Sequence, residues 1–140
     1  MGQNGNYSDA EQVVRDLFDS WKPSSEAFYG SFDRFFDENT VWENVGLSKT
    51  TGKDEAIAFV KAFPIPMAYM TAAEITTASS GDTVFAERVD YFHDEDGKVL
   101  LEAWVNGIFV IKNGKIAEWR DYADTAGLGA RLQELAGPPQ

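Results

Sequence analysis

Pro64 and Pro66 divide this 140-residue chain into two parts with different hydrophobic periods. Before them the apolar residues recur at helical spacing. After them they alternate as in strands. "SDAEQVVRDLFDSW" opens with Ser8 and carries Glu11 three residues later, which is a capping box. Val14, Leu17, Phe18 and Trp21 then follow at helical spacing up to Pro23. "SSEAFYGSFDRFFDEN" repeats the pattern with Phe28, Phe32, Phe35 and Phe36, and "GKDEAIAFVKAF" gives a third helix that the prolines close. "TVWENVGL" reads as a short strand between the last two helices.

The second part reads as strands in succession: "AYMTAAEITTASS", "DTVFAERVDYFHD", "VLLEAWVNGIFVIK" and "IAEWRDYAD". "DEDGK" is a turn, and Asn113-Gly114 is a strong hairpin signal. "AGLGARLQELAG" adds a closing helix, with Asp124 at its start and Thr125 as a possible cap. Helices first and an antiparallel meander afterwards predict an α+β fold. Its helices pack on one face of a curved sheet, and such a sheet can close as a cone around a pocket. The length suits a single domain over 1–140, with tails at 1–7 and 136–140.

Composition removes several functions. A net charge of −11 argues against nucleic acid and anionic membrane surfaces, which both need a basic footprint. The chain has no Cys, so thiolate nucleophiles, disulfides and Cys-based metal sites are excluded together. Its single His, His93, leaves no His-pair metal site and reads as a loop-edge residue. The polar start "MGQNGNYSDAEQ" has no signal-peptide pattern, and no apolar run is long enough for a membrane span. A soluble, cytoplasmic protein is expected. Aromatic residues, ten of them Phe and four Trp, suit large apolar walls around a cavity as well as a plain core.

Alternation along the strands sorts the charged residues by face. Asp121 shares a face with Ala117, Trp119 and Ala123, and is the only charge there. Arg88 and Asp90 lie on one face with Val84, Ala86 and Phe92. Trp42 and Asn44 point the same way, opposite Glu43. Taken alone, each admits an ordinary reading: a hydrated strand-end carboxylate, a surface ion pair, a turn amide. A buried carboxylate needs a partner, and the planar fork of Arg can bridge two.

The segments "VWENVGL", "GKDEAIAFV", "FAERVDYF" and "GKIAEWRDYAD" together resemble the limonene-1,2-epoxide hydrolase family, over roughly residues 8 to 128. That family belongs to the cone-shaped α+β group (NTF2-like, SnoaL-like) that includes nuclear transport factor 2 and ketosteroid isomerase. The resemblance implies hydrolysis of a small or medium apolar epoxide to a vicinal diol. Asp121 would be the general base that takes a proton from water, and Asn44 would hold that water. Asp90 would be the general acid that protonates the epoxide oxygen, with Arg88 between the carboxylates. Water attacks directly, ring strain supplies driving force, and no metal or organic cofactor is implied. A homodimer through the outer sheet face is implied as well. Trp42 stands where the family has a Tyr that helps to position the water. Trp can only donate, through its indole N–H, and can still serve a lone pair of that water.

Two other readings stay open on the same scaffold. One is a different enzyme: a ketosteroid-isomerase-like isomerase, which needs a Tyr or a protonated acid facing an enolate, or a polyketide or polyether cyclase. Tyr69, Tyr91 and Tyr122 are the tyrosines to place. The other is a non-catalytic small-molecule-binding module, for which a buried Arg88–Asp90–Asp121 cluster is an unexpected burden.

Overall fold

The computed structural model describes residues 6–137. The expected tails therefore lie largely outside the described residues. Helix α1 (Asp9–Ser20) starts at the predicted capping box: the Ser8 hydroxyl accepts from the Glu11 N–H at 3.1 Å, and the Glu11 carboxylate accepts from the Ser8 N–H at 3.4 Å. Helix α2 (Ser25–Phe35) is capped by Ser24, which accepts from the Ala27 N–H. The buried face of α1 carries Val14, Leu17 and Phe18; that of α2 carries Phe28, Phe32 and Phe35.

Strands β1 (Val41–Asn44) and β2 (Ser48–Thr51) form a hairpin around Gly46, whose φ of +86° is open to glycine without strain. Sequence reading missed β2, because "SKTT" is short, polar and carries no apolar alternation. Helix α3 (Lys53–Lys61) follows and ends before the prolines. Strands β3 (Tyr69–Ser80), β4 (Thr83–His93), β5 (Val99–Lys112) and β6 (Lys115–Ala123) make the expected meander. Asn113 and Gly114 both have positive φ, as their hairpin turn requires. Helix α4 (Thr125–Ala136) closes the described chain. Its cap is Asp124 itself, which accepts from the Gly127 N–H at 2.9 Å, and not Thr125.

The sheet order is β2-β1-β6-β5-β4-β3. All neighbours are antiparallel except β1 and β6, which run parallel, so the sheet is mixed. A bulge in β3 between Ala73 and Thr76, with Glu74 at φ 55°, adds local bend and twist to the sheet. Helices α1 and α2 pack on one face of the sheet. There Val84, Ala86, Phe109, Ile111, Ile116 and Trp119 join the helix aromatics in one core. Among the described residues no helix is long and apolar enough to cross a membrane.

The capping box also fastens α1 to the sheet edge. The two carboxylate oxygens of Glu11 accept from the Thr77 and Ser79 hydroxyls of β3, each at 2.7 Å. Glu11→Ala removes the carboxylate half of the capping box and both tethers, while the Ser8 cap remains, and should lower stability by about 1–2 kcal/mol in urea unfolding.

Candidate active site

The same face of the sheet continues into a cavity of about 290 Å³, largely apolar, with polar groups from β1, β4 and β6. Asn44, Trp42, Arg88, Asp90 and Asp121 all line it. The strand register explains the gathering. Asn44 pairs with Asp121 across the parallel β1–β6 contact, and Trp42 pairs with Trp119. Asp121 in turn pairs with Gly107 of β5, and Gly107 with Ala86 of β4, two residues before Arg88.

Arg88 is fully buried, while Asp90 and Asp121 are 4% and 8% exposed. The guanidinium grips both carboxylates in bidentate fashion. It donates to Asp90 through Nε and Nη2, both at 3.1 Å, and to Asp121 through Nη1 at 2.9 Å and Nη2 at 2.7 Å. Its carbon lies 4.8 Å from the ring centroid of Phe18 and 5.7 Å from that of Trp119, so aromatic faces cover the charge. Burial works against the Arg88 charge, but the carboxylates, Asp121 foremost, hold its pKa above the ordinary value. Burial pushes the Asp90 carboxyl up to about 6, against the opposing pull of Arg88 and with added push from the Asp121 charge.

Two partners of this cluster escaped sequence reading. Trp119 donates its indole N–H to Asp121 at 2.6 Å. Asp121 therefore receives three N–H bonds, and Asp90 two longer ones. The second is Gly107. A Cβ built there would stand 2.6 Å from the nearer Asp121 oxygen and 2.8 Å from Arg88 Nη1. Arg88 reaches Asp121 across the space that a side chain at 107 would fill. A glycine inside an apolar strand is the available signal for such a close approach.

Trp42 stacks on Trp119 at 5.2 Å, and its indole N–H is buried with no protein partner. Asn44 donates its amide N–H to Ser48 at 3.1 Å. His93 lies at the end of β4, stacked on Tyr69 and bonded to Thr71 and the Gly97 carbonyl, outside the cavity lining. None of Tyr69, Tyr91 and Tyr122 lines the cavity either. A wider, open groove of about 580 Å³ runs between β5 and α4. Two of its polar groups serve structure: Asp124 caps α4, and Arg131 bonds Glu134 and the Leu100 carbonyl.

Gly107→Ala should force the carboxylate or the guanidinium aside. The expected loss is about 1–3 kcal/mol in chemical unfolding, larger than for Gly30→Ala in α2, where a Cβ meets nothing within 4 Å.

Residues 9–132 match the sequence profile described as the limonene-1,2-epoxide hydrolase catalytic domain. Over 96 residues the chain is 26% identical to the epoxide hydrolase EphG of Mycobacterium tuberculosis (strain ATCC 25618 / H37Rv), a match over 69% of this chain and 62% of that protein. The chain thus spans less than two thirds of that relative's length. A structure of an M. tuberculosis LEH-like epoxide hydrolase superposes with a TM-score of 0.66 at 21% identity, covering 91% of each chain. A putative SnoaL-like polyketide cyclase from Jannaschia sp. CCS1 does so with 0.72 at 14% identity, covering 99% of each, which speaks for the shared fold alone. With the profile spanning nearly all of the described residues, the chain belongs to the limonene-1,2-epoxide hydrolase family.

Proposed function

We propose that this protein is a cofactor-independent epoxide hydrolase that opens a small or medium apolar epoxide to a vicinal diol. The observation that carries this reading is one buried guanidinium shared by two carboxylates at the polar side of an apolar cavity. With a single proton on the carboxylate pair, the three charged groups sum to zero. That proton belongs on Asp90. Burial raises Asp90, which receives two N–H bonds where Asp121 receives three. Asp121 is then the base and Asp90 the acid.

In the reaction, a water oxygen bonds to one epoxide carbon as the carbon–oxygen bond of the ring breaks. One water proton passes to Asp121, and the Asp90 proton passes to the leaving oxygen. The pair still holds one proton afterwards, now on the other carboxylate, and exchange with solvent resets it. Arg88 stays charged throughout and aligns both acids. Asn44 and Trp42 hold the water, the first as acceptor and the second through its free N–H. These two groups favour water as nucleophile over the internal hydroxyl of a cyclase. The isomerase reading finds no Tyr in the cavity and would have protonated Asp90 alone to face an enolate, and a binding module would carry the buried charge without use.

A homodimer fits the outer face of the sheet. Phe85, Trp104 and Tyr122, on three neighbouring strands, are each about half exposed there. Trp104→Glu should convert a dimer to a monomer in sedimentation velocity.

The decisive test is a panel of apolar epoxides in ¹⁸O-labelled water. A singly labelled diol is expected from one turnover, with Asp121→Asn and Asp90→Asn folded but losing at least about 10²-fold in kcat. Unchanged turnover in both variants sinks the assignment. Asp90 must carry its proton, so kcat/KM should fall as pH rises through about 6, and Asp90→Asn should lack that limb.

A further inference from the structure

Resting on the epoxide-hydrolase reading, we propose that Trp119 is a positioning residue that reserves one oxygen of Asp121, Oδ2, as the atom that takes the water proton. A carboxylate offers about two lone pairs on each oxygen. Arg88 takes one on each, through Nη1 to Oδ1 at 2.9 Å and through Nη2 to Oδ2 at 2.7 Å. The Trp119 indole N–H takes the second on Oδ1, at 2.6 Å. Oδ1 is then full, and Oδ2 keeps a lone pair open. An indole nitrogen only donates and an ionised carboxylate only accepts, so this bond has a single polarity.

The space around the carboxylate agrees with the count of lone pairs. A Cβ built on Gly107 would stand 2.6 Å from Oδ1 and 2.8 Å from Arg88 Nη1. Oδ1 therefore lies against the β5 backbone, with no room for a water between them. Asp121 pairs with Gly107 on one flank and with Asn44 on the other. The filled oxygen is committed on the Gly107 flank, whereas a water held by Asn44 comes from the opposite one. The indole is also held in place. Trp119 is 1% exposed, and Phe109 and Trp42, its partners on the two neighbouring strands, stack on it with centroids 4.9 and 5.2 Å away. Phe18 and Phe36 meet it edge to face. Aromatic packing that reads as plain core thus sets the direction of one N–H. A water on Oδ1 would stand apart from Asn44 and give its proton to no purpose. Filling Oδ1 removes that competing site and, with Arg88, holds the plane of the base.

Trp119→Phe keeps an aromatic ring and removes the N–H. In crystals of the unliganded wild-type protein, an ordered water should sit within about 3.2 Å of Asp121 Oδ2 and none on Oδ1. In Trp119→Phe a water should appear on Oδ1. In ¹⁵N-edited NMR, the indole resonance that Trp119→Phe removes should lie downfield of that of exposed Trp104, and should move upfield in Asp121→Asn. In turnover of an epoxide, folded Trp119→Phe should lower kcat about tenfold with KM within about threefold. An active wild type with its water on Oδ1 overturns the role of Trp119 and leaves the hydrolase reading intact. A folded Trp119→Phe variant with unchanged kcat does the same, as does a loss that falls on KM alone, which would make Trp119 a wall of the cavity and nothing more. Should Trp119→Phe fail to fold, the wild-type water and the indole shift in Asp121→Asn decide by themselves. A wild type that opens no epoxide, but has its water on Oδ2 and shows that shift, overturns the hydrolase reading while the saturation of Oδ1 stands.

Discussion

A guanidinium with no solvent contact organises this molecule. Arg88 carries its charge into the apolar interior, and only the paired carboxylates and the aromatic faces around it make that tolerable. Removal of Asp121 would leave an unbalanced buried ion, and removal of Asp90 would leave two guanidinium N–H groups without a partner. The demand spreads outwards from there. Strands β4, β5 and β6 must keep one register, because Arg88 spans from the first to the third. The middle strand must offer no side chain under the span, and Gly107 offers none. Phe18 of α1 must lie over the cation, which ties helix packing to the charge cluster.

Much of this was legible in the chain. Capping chemistry, helical aromatics and the Asn113-Gly114 turn are local signals, and they mark the elements well. Alternation also put Arg88 with Asp90, and Asp121 with Trp119, on shared faces, without saying which way those faces turn. What the sequence could not carry is which strand sits beside which. The parallel contact between β1 and β6 leaves no local trace, yet it is what sets Asn44 beside Asp121. Polar β2 was invisible because edge strands need no apolar face. The bond from Trp119 to Asp121 depends on how an indole ring turns within the core, and no spacing rule encodes that. Gly107 was readable in principle, as a glycine within an apolar strand, but its reason appears only once Arg88 crosses over it.

The cavity separates two tasks by wall. One side is built from strand residues locked by pairing and charge. The rest is lined by apolar groups such as Met67, Met70, Leu128 and Leu132, from the α3–β3 link, a strand and α4. Helix α4 has no fully buried residue, so its inner side chains can be exchanged with little disturbance to the core. The shape of the cavity can thus be altered on that wall without moving Asp90 or Asp121.

The parallel β1–β6 pair has a consequence for how the protein is made. Its two strands are the first and the last in chain order, with β2, α3 and three long strands between them. Such a contact closes a large loop and is entropically slow to form. β1 cannot find its partner until β6 exists, and β6 is among the last elements to be synthesised. A partly refolded chain can hold its meander, with Arg88 already beside Asp90 on β4, while Asn44 is still apart from Asp121. The arrival of Asn44 beside Asp121 during refolding is therefore a clock for the docking of the first strand onto the last.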